Sequence, residues 1–210
     1  MFDVMIIILD YGVGNLNSIK NMIKKVGFVS EISSDPEVVA KGTKFILPGV
    51  GSFSYGMTKL RSTPYFKVLE QKVLKEKIPI LGVCLGAQLL FEESEEGGHS
   101  KGLGWIKGRV TKFKYTSNEE ELKIPHMGWN FALPVKKSRL LDGLDENARF
   151  YFVHSYHFNC SDKDTPLLTT VYGQPFISAV EKENVIGVQF HPEKSHKFGM
   201  QLYKNFLNYY

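Results

Sequence analysis

The chain is poor in cysteine and has no long apolar run. Only two cysteines occur among its 210 residues, too few for the disulfide framework of a small secreted domain. The N-terminal apolar run covers only residues 4–9, whereas a membrane-spanning helix needs roughly 20 residues and a signal peptide needs a charged flank and a cleavage site. The sequence therefore predicts a cytoplasmic protein with free thiols and no membrane partner.

Charge of one sign is not concentrated anywhere. The 26 basic and 22 acidic residues give a formal net charge of +4, and no arginine-rich run or basic stripe with interleaved aromatics occurs. This pattern argues against a nucleic-acid partner. Because 43% of the residues are hydrophobic and no composition break divides the chain, we expect a single domain over residues 1–210.

Short β-rich runs alternate with helical patterns in the first half of the chain. The predicted strands are 4–9, 28–33, 44–48 and 78–83, and the predicted helices are 17–26, 64–77 and one starting at 85. Later runs read as strands separated by turns: 108–114, 128–133, 149–158, 166–172, 176–180 and 185–190, followed by a helix at 195–208. The pattern predicts an α/β fold with a mixed, mostly parallel central sheet, flanking helices and antiparallel additions.

The stretch LDYGVGNLNSIKNM superficially resembles a dinucleotide-binding fingerprint. A strand leads into Gly12 and Gly14 and then into a helix, but Asn17 stands where the third glycine belongs. A tight strand-to-helix turn is the better interpretation. Asn15 in that turn remains available for a ligand or partner.

Cys84 lies between the predicted strand ILGV and the predicted helix LGAQLLFE. Such a sharp turn resembles a nucleophile elbow, in which flanking glycines, here Gly82 and Gly86, relieve crowding. Free N–H groups at the start of a helix favour the thiolate, which is the nucleophilic form. Cys160, in the polar stretch NCSDKD, is interpreted as structural or incidental.

The stretch GVQFHPEKS supplies what a cysteine nucleophile needs. His191 follows an apolar strand, and Pro192 holds the backbone so that Glu193 projects toward the same side. A thiol needs a base, and an imidazole needs a carboxylate that fixes its tautomer. These residues predict a Cys84–His191–Glu193 catalytic triad.

The glycine loop ILPGVGSF, residues 46–53, is a candidate oxyanion hole. A strand ends at its Pro-Gly-Val-Gly sequence, and such a loop turns backbone N–H groups toward a developing negative charge. We expect Val50 and Leu85 to supply the two N–H donors.

Together with PHMGWN and YFVHSY, these motifs resemble the class I glutamine amidotransferases over essentially the whole chain. Within that family they are similar to glutaminase subunits that serve a (β/α)8 cyclase in histidine biosynthesis. The resemblance implies that the protein hydrolyses L-glutamine to glutamate and ammonia without a cofactor or metal. It also implies the substrate-binding residues, which are Gly49, Gly51, Gln88, Glu96, Ser155 and Tyr156.

The resemblance further implies a heterodimer in which ammonia passes directly into the cyclase subunit. The family's subunit face matches Asn15, Trp129, Tyr151 and Lys194. The cyclase would form imidazole glycerol phosphate and aminoimidazole carboxamide ribotide.

Three alternatives remain open from the sequence. Trp105, His157 and His196 favour a paralogous branch that supplies ammonia for acetamidino-sugar formation in surface polysaccharide or flagellin glycan biosynthesis. A non-catalytic scaffold would keep the fold without turnover. A cysteine hydrolase for peptides or acyl groups would use the same nucleophile and base, but it gives no reason for Gln88 and Glu96.

Overall fold

The computed structural model describes residues 4–114 and 122–210. Its α-helices are α1 (Leu16–Lys25), α2 (Pro36–Lys41), α3 (Phe53–Arg61), α4 (Phe66–Glu70), α5 (Leu85–Leu89) and α6 (His196–Tyr209). A π-helical turn, Gln71–Lys75, extends α4, and short 3-10 turns cover Arg139–Leu141 and Pro192–Lys194. Within the described ranges, no helix has the length and apolar character needed to cross a membrane.

Fourteen strands are formed by the described residues. They are β1 (Ile6–Leu9), β2 (Ser30–Ser33), β3 (Lys44–Leu47), β4 (Ile80–Val83), β5 (Phe91–Ser94), β6 (Ser100–Lys101), β7 (Ile106–Lys112), β8 (His126–Phe131), β9 (Leu133–Pro134), β10 (Arg149–His154), β11 (Tyr156–Cys160), β12 (Pro166–Tyr172), β13 (Gln174–Lys182) and β14 (Val185–Val188).

Twelve of these strands form one mixed sheet, and β8 and β10 form a separate antiparallel pair. The large sheet runs β2-β1-β3-β4-β14-β13-β11-β7-β5-β6, with β12 branching from β13 and β9 pairing with β12. Strands β2, β1, β3, β4 and β14 are parallel, and antiparallel pairing begins at β13. This topology confirms the predicted α/β class with a parallel centre and antiparallel additions.

Strand alternation sends apolar side chains into two cores. Ile6 and Ile8 pack with α1 and α6 on one face of the sheet, whereas Ile7 and Leu9 pack with α3 and α5 on the other. All four side chains are at most 2% exposed, as expected for a parallel strand covered by helices on both faces.

The predicted strand 149–158 is wrong in one respect. It breaks at Ser155 into β10, which pairs with β8, and β11, which pairs with β7 and β13. The break places Ser155 at a junction between the two sheets. Helices α2 and α3 were not predicted, although each follows a residue of a type favoured at an N-cap, Asp35 and Ser52.

The carboxyl ends of β3, β4 and β14 lie side by side in the sheet. They lead into the glycine loop 48–51, Cys84 and the segment 189–193. In open parallel sheets, ligands bind at this edge.

Candidate active site

Cys84 occupies a strained turn between β4 and α5. Its φ and ψ are 54° and −112°, a positive φ that non-glycine residues rarely adopt and that costs on the order of 1–3 kcal/mol. The Cys84 N–H donates to the Val188 carbonyl at 2.8 Å, and its own carbonyl accepts from the Ala87 and Gln88 N–H groups at 3.1 Å. These bonds hold the thiol at the sheet edge, as a nucleophile elbow does.

The two glycines near Cys84 allow backbone segments to approach closely. A Cβ at Gly86 would lie 1.9 Å from the Leu47 carbonyl oxygen, and one at Gly82 would lie 2.7 Å from the Ala87 Cα. Both glycines are therefore required by packing of the turn against its neighbours.

His191 is the buried base candidate beside Cys84. Its Nδ1 lies 2.8 Å from Glu193 Oε1, and both side chains are almost fully buried. Because a carboxylate only accepts, Nδ1 carries the proton in this contact. Burial by itself lowers the pKa of His191, but the interactions with Cys84 and Glu193 outweigh it and raise that pKa to about 10.

The His191 Nε2 atom is buried without a hydrogen-bond partner among the described residues. Since Nδ1 is committed to Glu193, Nε2 is the nitrogen available for proton transfer with Cys84, whose interaction with the imidazole raises the pKa of His191. The predicted triad residues are thus brought together around one sulfur.

The glycine loop is held in place by a hydrogen bond from a tyrosine that sequence reasoning missed. The Tyr11 hydroxyl donates to the Pro48 carbonyl at 2.5 Å, and burial raises the Tyr11 pKa, which keeps the hydroxyl a donor. A Cβ at Gly49 would lie 2.5 Å from the Gly86 nitrogen. Gly49 therefore packs against α5, and Val50 reaches the cavity.

A cavity of about 330 Å³ opens over the thiol. Of the predicted oxyanion and substrate-binding residues, all but Gly49 line it: Val50, Leu85, Gly51, Gln88, Glu96, Ser155 and Tyr156. Glu96 also accepts from the Phe53 N–H at 2.7 Å, so it caps the start of α3 directly after the glycine loop. Glu193 does not line the cavity, since it lies behind His191.

Gln189 is a second residue that sequence reasoning missed. Its side chain is fully buried, its Nε2 lies 3.8 Å from Cys84 Sγ, and its Oε1 accepts from Gln88 Nε2 at 3.0 Å. The available signal was the spacing, because Gln189 stands two residues before His191 in a predicted strand, where side chains two residues apart share a side. Gln189 and His191 share one side, and Phe190 packs on Phe150 in the core on the other.

A pair of buried histidines supports the wall formed by Ser155 and Tyr156. His154 Nδ1 lies 2.8 Å from the Tyr156 carbonyl, and His154 Nε2 lies 2.9 Å from His126 Nδ1. Asn130 Nδ2 lies 3.2 Å from His126 Nε2. Burial lowers the pKa of His154 to about 3 and that of His126 to about 4, so both are neutral at physiological pH.

The candidate docking face lies on the two-stranded sheet next to this site. Trp129 pairs directly across from Tyr151 in the β8–β10 register, and the Lys194 ammonium lies 5.7 Å from the centre of the Tyr151 ring. Asn15 is an exposed N-cap of α1, where its side chain accepts from the Ser18 N–H. Three of the four predicted interface residues therefore form one cluster, and Asn15 begins a helix that packs on the 192–194 turn.

The second cysteine differs sharply from the first. Cys160 is half-buried at the end of β11, and burial raises its pKa to about 12. The thiol form therefore dominates at neutral pH, and the interpretation of Cys160 as structural fits its surroundings.

An elbow cysteine with a buried His–Glu pair at the edge of a parallel sheet defines an α/β enzyme of the cysteine-nucleophile type. A sequence profile described as Glutamine amidotransferase class-I matches residues 7–209. The chain belongs to the class I glutamine amidotransferase family, as the motifs predicted.

The particular relatives are imidazole glycerol phosphate synthase subunits. The chain is 56% identical over 203 residues to "Imidazole glycerol phosphate synthase subunit HisH 2" of Methanococcus maripaludis, covering 97% of this chain and 98% of that protein. It is 48% identical to the protein of the same name from Pseudomonas aeruginosa, with the same coverage.

Solved structures support the fold alone. The structure of PurLQS from Thermotoga maritima superposes with a TM-score of 0.71 at 19% identity, covering 98% of each chain. A glutamine amidotransferase from Thermotoga maritima superposes with a TM-score of 0.62 at 20% identity, covering 90% of this chain and 76% of the other.

Proposed function

We propose that this chain is the glutaminase subunit of imidazole glycerol phosphate synthase and makes ammonia from glutamine for histidine biosynthesis. The observation that carries the proposal is the strained Cys84 beside the buried His191–Glu193 pair, in a chain 56% identical to a named subunit of that enzyme. The cytoplasmic location expected from the sequence stays a prediction.

In the proposed mechanism, Cys84 passes its proton to His191 Nε2 and its sulfur attacks the side-chain carboxamide carbon of glutamine. The Val50 and Leu85 N–H groups stabilise the oxyanion of the tetrahedral intermediate. His191 then returns the proton to the departing nitrogen, and ammonia leaves a glutamyl thioester. Water activated by His191 hydrolyses the thioester to glutamate.

Substrate recognition is assigned to polar groups around the cavity. Gln88 Nε2 is already committed to Gln189 Oε1 and to the Tyr156 carbonyl, so its Oε1 is the atom that faces a ligand. Glu96 offers a carboxylate for the α-ammonium group of glutamine. Gly51, Ser155 and Tyr156 complete the wall that holds the amino-acid head.

A (β/α)8 cyclase subunit would dock on β8 and receive the ammonia. The alternate residues Met127, Trp129 and Phe131 on this strand are exposed by 60%, 43% and 49%. Such an apolar row is unusual on a surface that stays in water. Tyr151 and Lys194 lie at its edge, and the Tyr151 carbonyl accepts from the His191 N–H at 2.9 Å. The docking face is thus connected to the catalytic base, His191, through the backbone of a single residue, Tyr151.

The deciding experiment replaces Cys84 with Ala or Ser and measures glutamate formation in the complex with the cyclase. We expect a fall of at least about ten-thousandfold, because no other group forms the thioester. Cys160→Ser is the matched control and should retain wild-type activity. With ammonium salts at high pH, the Cys84 variants should still support product formation.

Three outcomes would contradict the proposal. Near-wild-type hydrolysis by Cys84→Ala would show that Cys84 is not the nucleophile. Failure of a thiol-selective glutamine analogue to label Cys84 would favour the scaffold, and preference for ester substrates over glutamine would favour the cysteine hydrolase.

One observation favours a second candidate acceptor. His196, one of the residues that points to the acetamidino-sugar branch, stacks on Trp129 at 5.4 Å and thus lies on the proposed docking face. In that branch the chemistry at Cys84 is unchanged and the acceptor is a sugar. Assaying the chain with each of the two partner types separates the candidates, since glutamine hydrolysis should rise only with the true one.

A further inference from the structure

We propose that Gln189 belongs to the catalytic machinery, because its side-chain N–H stabilises the thiolate form of Cys84 and holds the sulfur in place for attack. The proposal rests on Cys84 being the nucleophile of the proposed function. It adds a residue that the predicted triad and oxyanion hole do not contain.

Two neighbours of the sulfur interact with different protonation states of Cys84. Val153 offers a carbonyl oxygen 4.0 Å from Sγ, which accepts from a thiol S–H. Gln189 offers an N–H from Nε2 at 3.8 Å, which donates to a thiolate. A hydrogen bond to a charged acceptor is stronger than one to a neutral acceptor, so the Gln189 contact gains strength when the proton leaves for His191.

The orientation of the Gln189 amide follows from its neighbours. The Tyr156 carbonyl can only accept, so the Gln88 atom that faces it at 3.3 Å is the amino nitrogen Nε2. That same nitrogen contacts Gln189 at 3.0 Å, which requires Gln189 to present its oxygen there. The Gln189 amino group is therefore the end that faces the sulfur.

The buried histidine pair holds the Tyr156 carbonyl, the acceptor from which this series of hydrogen bonds starts. The Tyr156 carbonyl also requires a proton on His154 Nδ1, so neutral His154 accepts at Nε2 from His126 Nδ1. His126 then accepts at Nε2 from Asn130, whose second amino hydrogen donates to the Val171 carbonyl at 2.9 Å. Because the two carbonyl oxygens can only accept, the donor and acceptor role of each side chain in this network is fixed, and flipping the Gln189 amide would leave the contact with Gln88 without an acceptor.

The short helix α5 makes such a donor necessary. It has only five residues, so few aligned peptide dipoles support a negative charge at Cys84. Gln189 is fully buried, where an N–H group interacts with a charge more strongly than in water. The side-chain amide therefore supplies part of what a longer helix would provide.

The test measures alkylation of Cys84 by iodoacetamide as a function of pH in Gln189→Met and Gln189→Glu variants of the full chain. Gln189→Met keeps the side-chain size and removes the donor, and we expect alkylation at pH 7 to slow roughly tenfold. Gln189→Glu keeps the acceptor for Gln88 and replaces only the donor atom, and it should slow alkylation further. At pH about 10, above the pKa of an ordinary cysteine, the Gln189→Met and wild-type rates should converge.

Convergence at high pH separates thiolate stabilisation from altered access or packing, which would slow alkylation at every pH. The titratable groups around the sulfur that contribute to the profile are His191, Glu193, Tyr11, His154, Glu96 and Tyr156, and all are unchanged in the variants. Gln201→Met, on α6, removes a half-buried amide that bonds Asn205 and the Asp142 carbonyl and should leave alkylation unchanged.

Equal alkylation of Gln189→Met and wild type at pH 7 would overturn the proposal, as would a constant rate ratio from pH 7 to 10. Circular dichroism establishes that each variant is folded. Because alkylation needs no glutamine turnover, this result is independent of whether the chain proves to be a glutaminase.

Discussion

Two regions of this molecule bury histidines to the same degree but stabilise different protonation states of the imidazole. His191, at the catalytic edge, and His126 and His154, beneath the docking face, are 2%, 2% and 5% exposed. The pKa of His191 is raised to about 10, whereas those of His126 and His154 are lowered to about 4 and about 3. Burial favours the neutral form in all three, so burial alone does not explain the difference.

The groups that contact each histidine explain the difference in pKa. His191 contacts Glu193 and lies beside an ionisable thiol, so its proton is stabilised by negative charge. His126 and His154 contact each other, an amide and a backbone carbonyl, which offer hydrogen bonds without charge. One region is built to hold and release a proton, and the other is built to fix tautomers and backbone positions.

Glu193→Gln gives the largest change, because it removes the charge that distinguishes the two regions. The pKa of His191 should fall, the wrong tautomer becomes accessible, and kcat for glutamine should fall about a thousandfold with a smaller change in KM. Steady-state kinetics of the complex and a pH titration of His191 by NMR measure both effects.

Glu183→Gln is the control for Glu193→Gln, since it alters an exposed ion pair with Lys77 and should leave kcat unchanged. A large rise in KM at unchanged kcat would instead make Glu193 a binding or structural residue.

The second prediction links the two regions through the cyclase partner. We expect the isolated chain to hydrolyse glutamine about a hundredfold to a thousandfold more slowly than the complex with cyclase and acceptor. A peptide flip at Val50, which is 46% exposed and precedes Gly51 at φ +96°, would aim its N–H into or away from the oxyanion hole. Docking near Trp129 and Lys194 would bias this flip.

Glutamate formation is measured for the isolated chain, for the chain with its partner, and for both with the acceptor added. A stepwise rise supports control at residues 48–51. Full activity of the isolated chain would contradict the predicted partner-dependent flip at Val50.

The third prediction concerns acid stability. His126 and His154 bind protons with a pKa near 6.5 when unfolded but only near pH 4 or below when folded. The unfolded state therefore binds more protons between these values, and the free energy of unfolding falls as pH falls from about 6.5 to about 4. For His191 the sign is reversed, because its stabilisation is lost as pH rises from about 6.5 toward about 10.

Urea denaturation between pH 4 and 7 measures this loss. His126→Asn removes one titrating group and should make the free energy of unfolding depend less steeply on pH. His99→Asn, which alters an exposed histidine, should leave this dependence unchanged. An identical slope in His126→Asn and wild type would contradict the assignment of a lowered pKa to His126.

The smallest effect is expected from a neutral contact on the catalytic side. Tyr11→Phe leaves the Pro48 carbonyl buried without its donor, so the glycine loop loses a fixed point, and kcat should fall about tenfold. Tyr210→Phe, which removes a hydrogen-bonded hydroxyl from the contact with Ser138, is the matched control. It should lower thermal stability without changing kcat, and a loss of activity equal to that of Tyr11→Phe would assign the effect to general packing.

The predictable part of the site consisted of residues whose role follows from local chain geometry. Cys84 stands at a strand-to-helix turn, and His191 and Glu193 are separated by a single proline, so their chemistry was apparent from spacing. Gln189 was missed although it lies two residues before His191, because an amide at the end of an apolar strand carries no chemical signature by itself. Its significance depends on Gln88 and Cys84, both about a hundred residues away in the chain.

Tyr11 and the histidine pair could not be recognised from the sequence for the same reason. Tyr11 and Pro48 meet only because β1 and β3 are neighbours in the sheet. His126 and His154 meet only because β8 and β10 pair in one particular register, and a shift by one residue would turn one of them to the opposite face.

The sequence by itself determined the α/β class and the family and predicted the candidate reacting residues, because strand and helix periodicity and the turn at Cys84 are encoded within a few neighbouring residues. Only the tertiary structure decided which histidine is charged, which tyrosine supports the glycine loop and which amide faces the sulfur. Hydrogen bonds and electrostatic interactions act over a few ångströms in space, and the chain folding that brings their partners together is not visible in residue spacing.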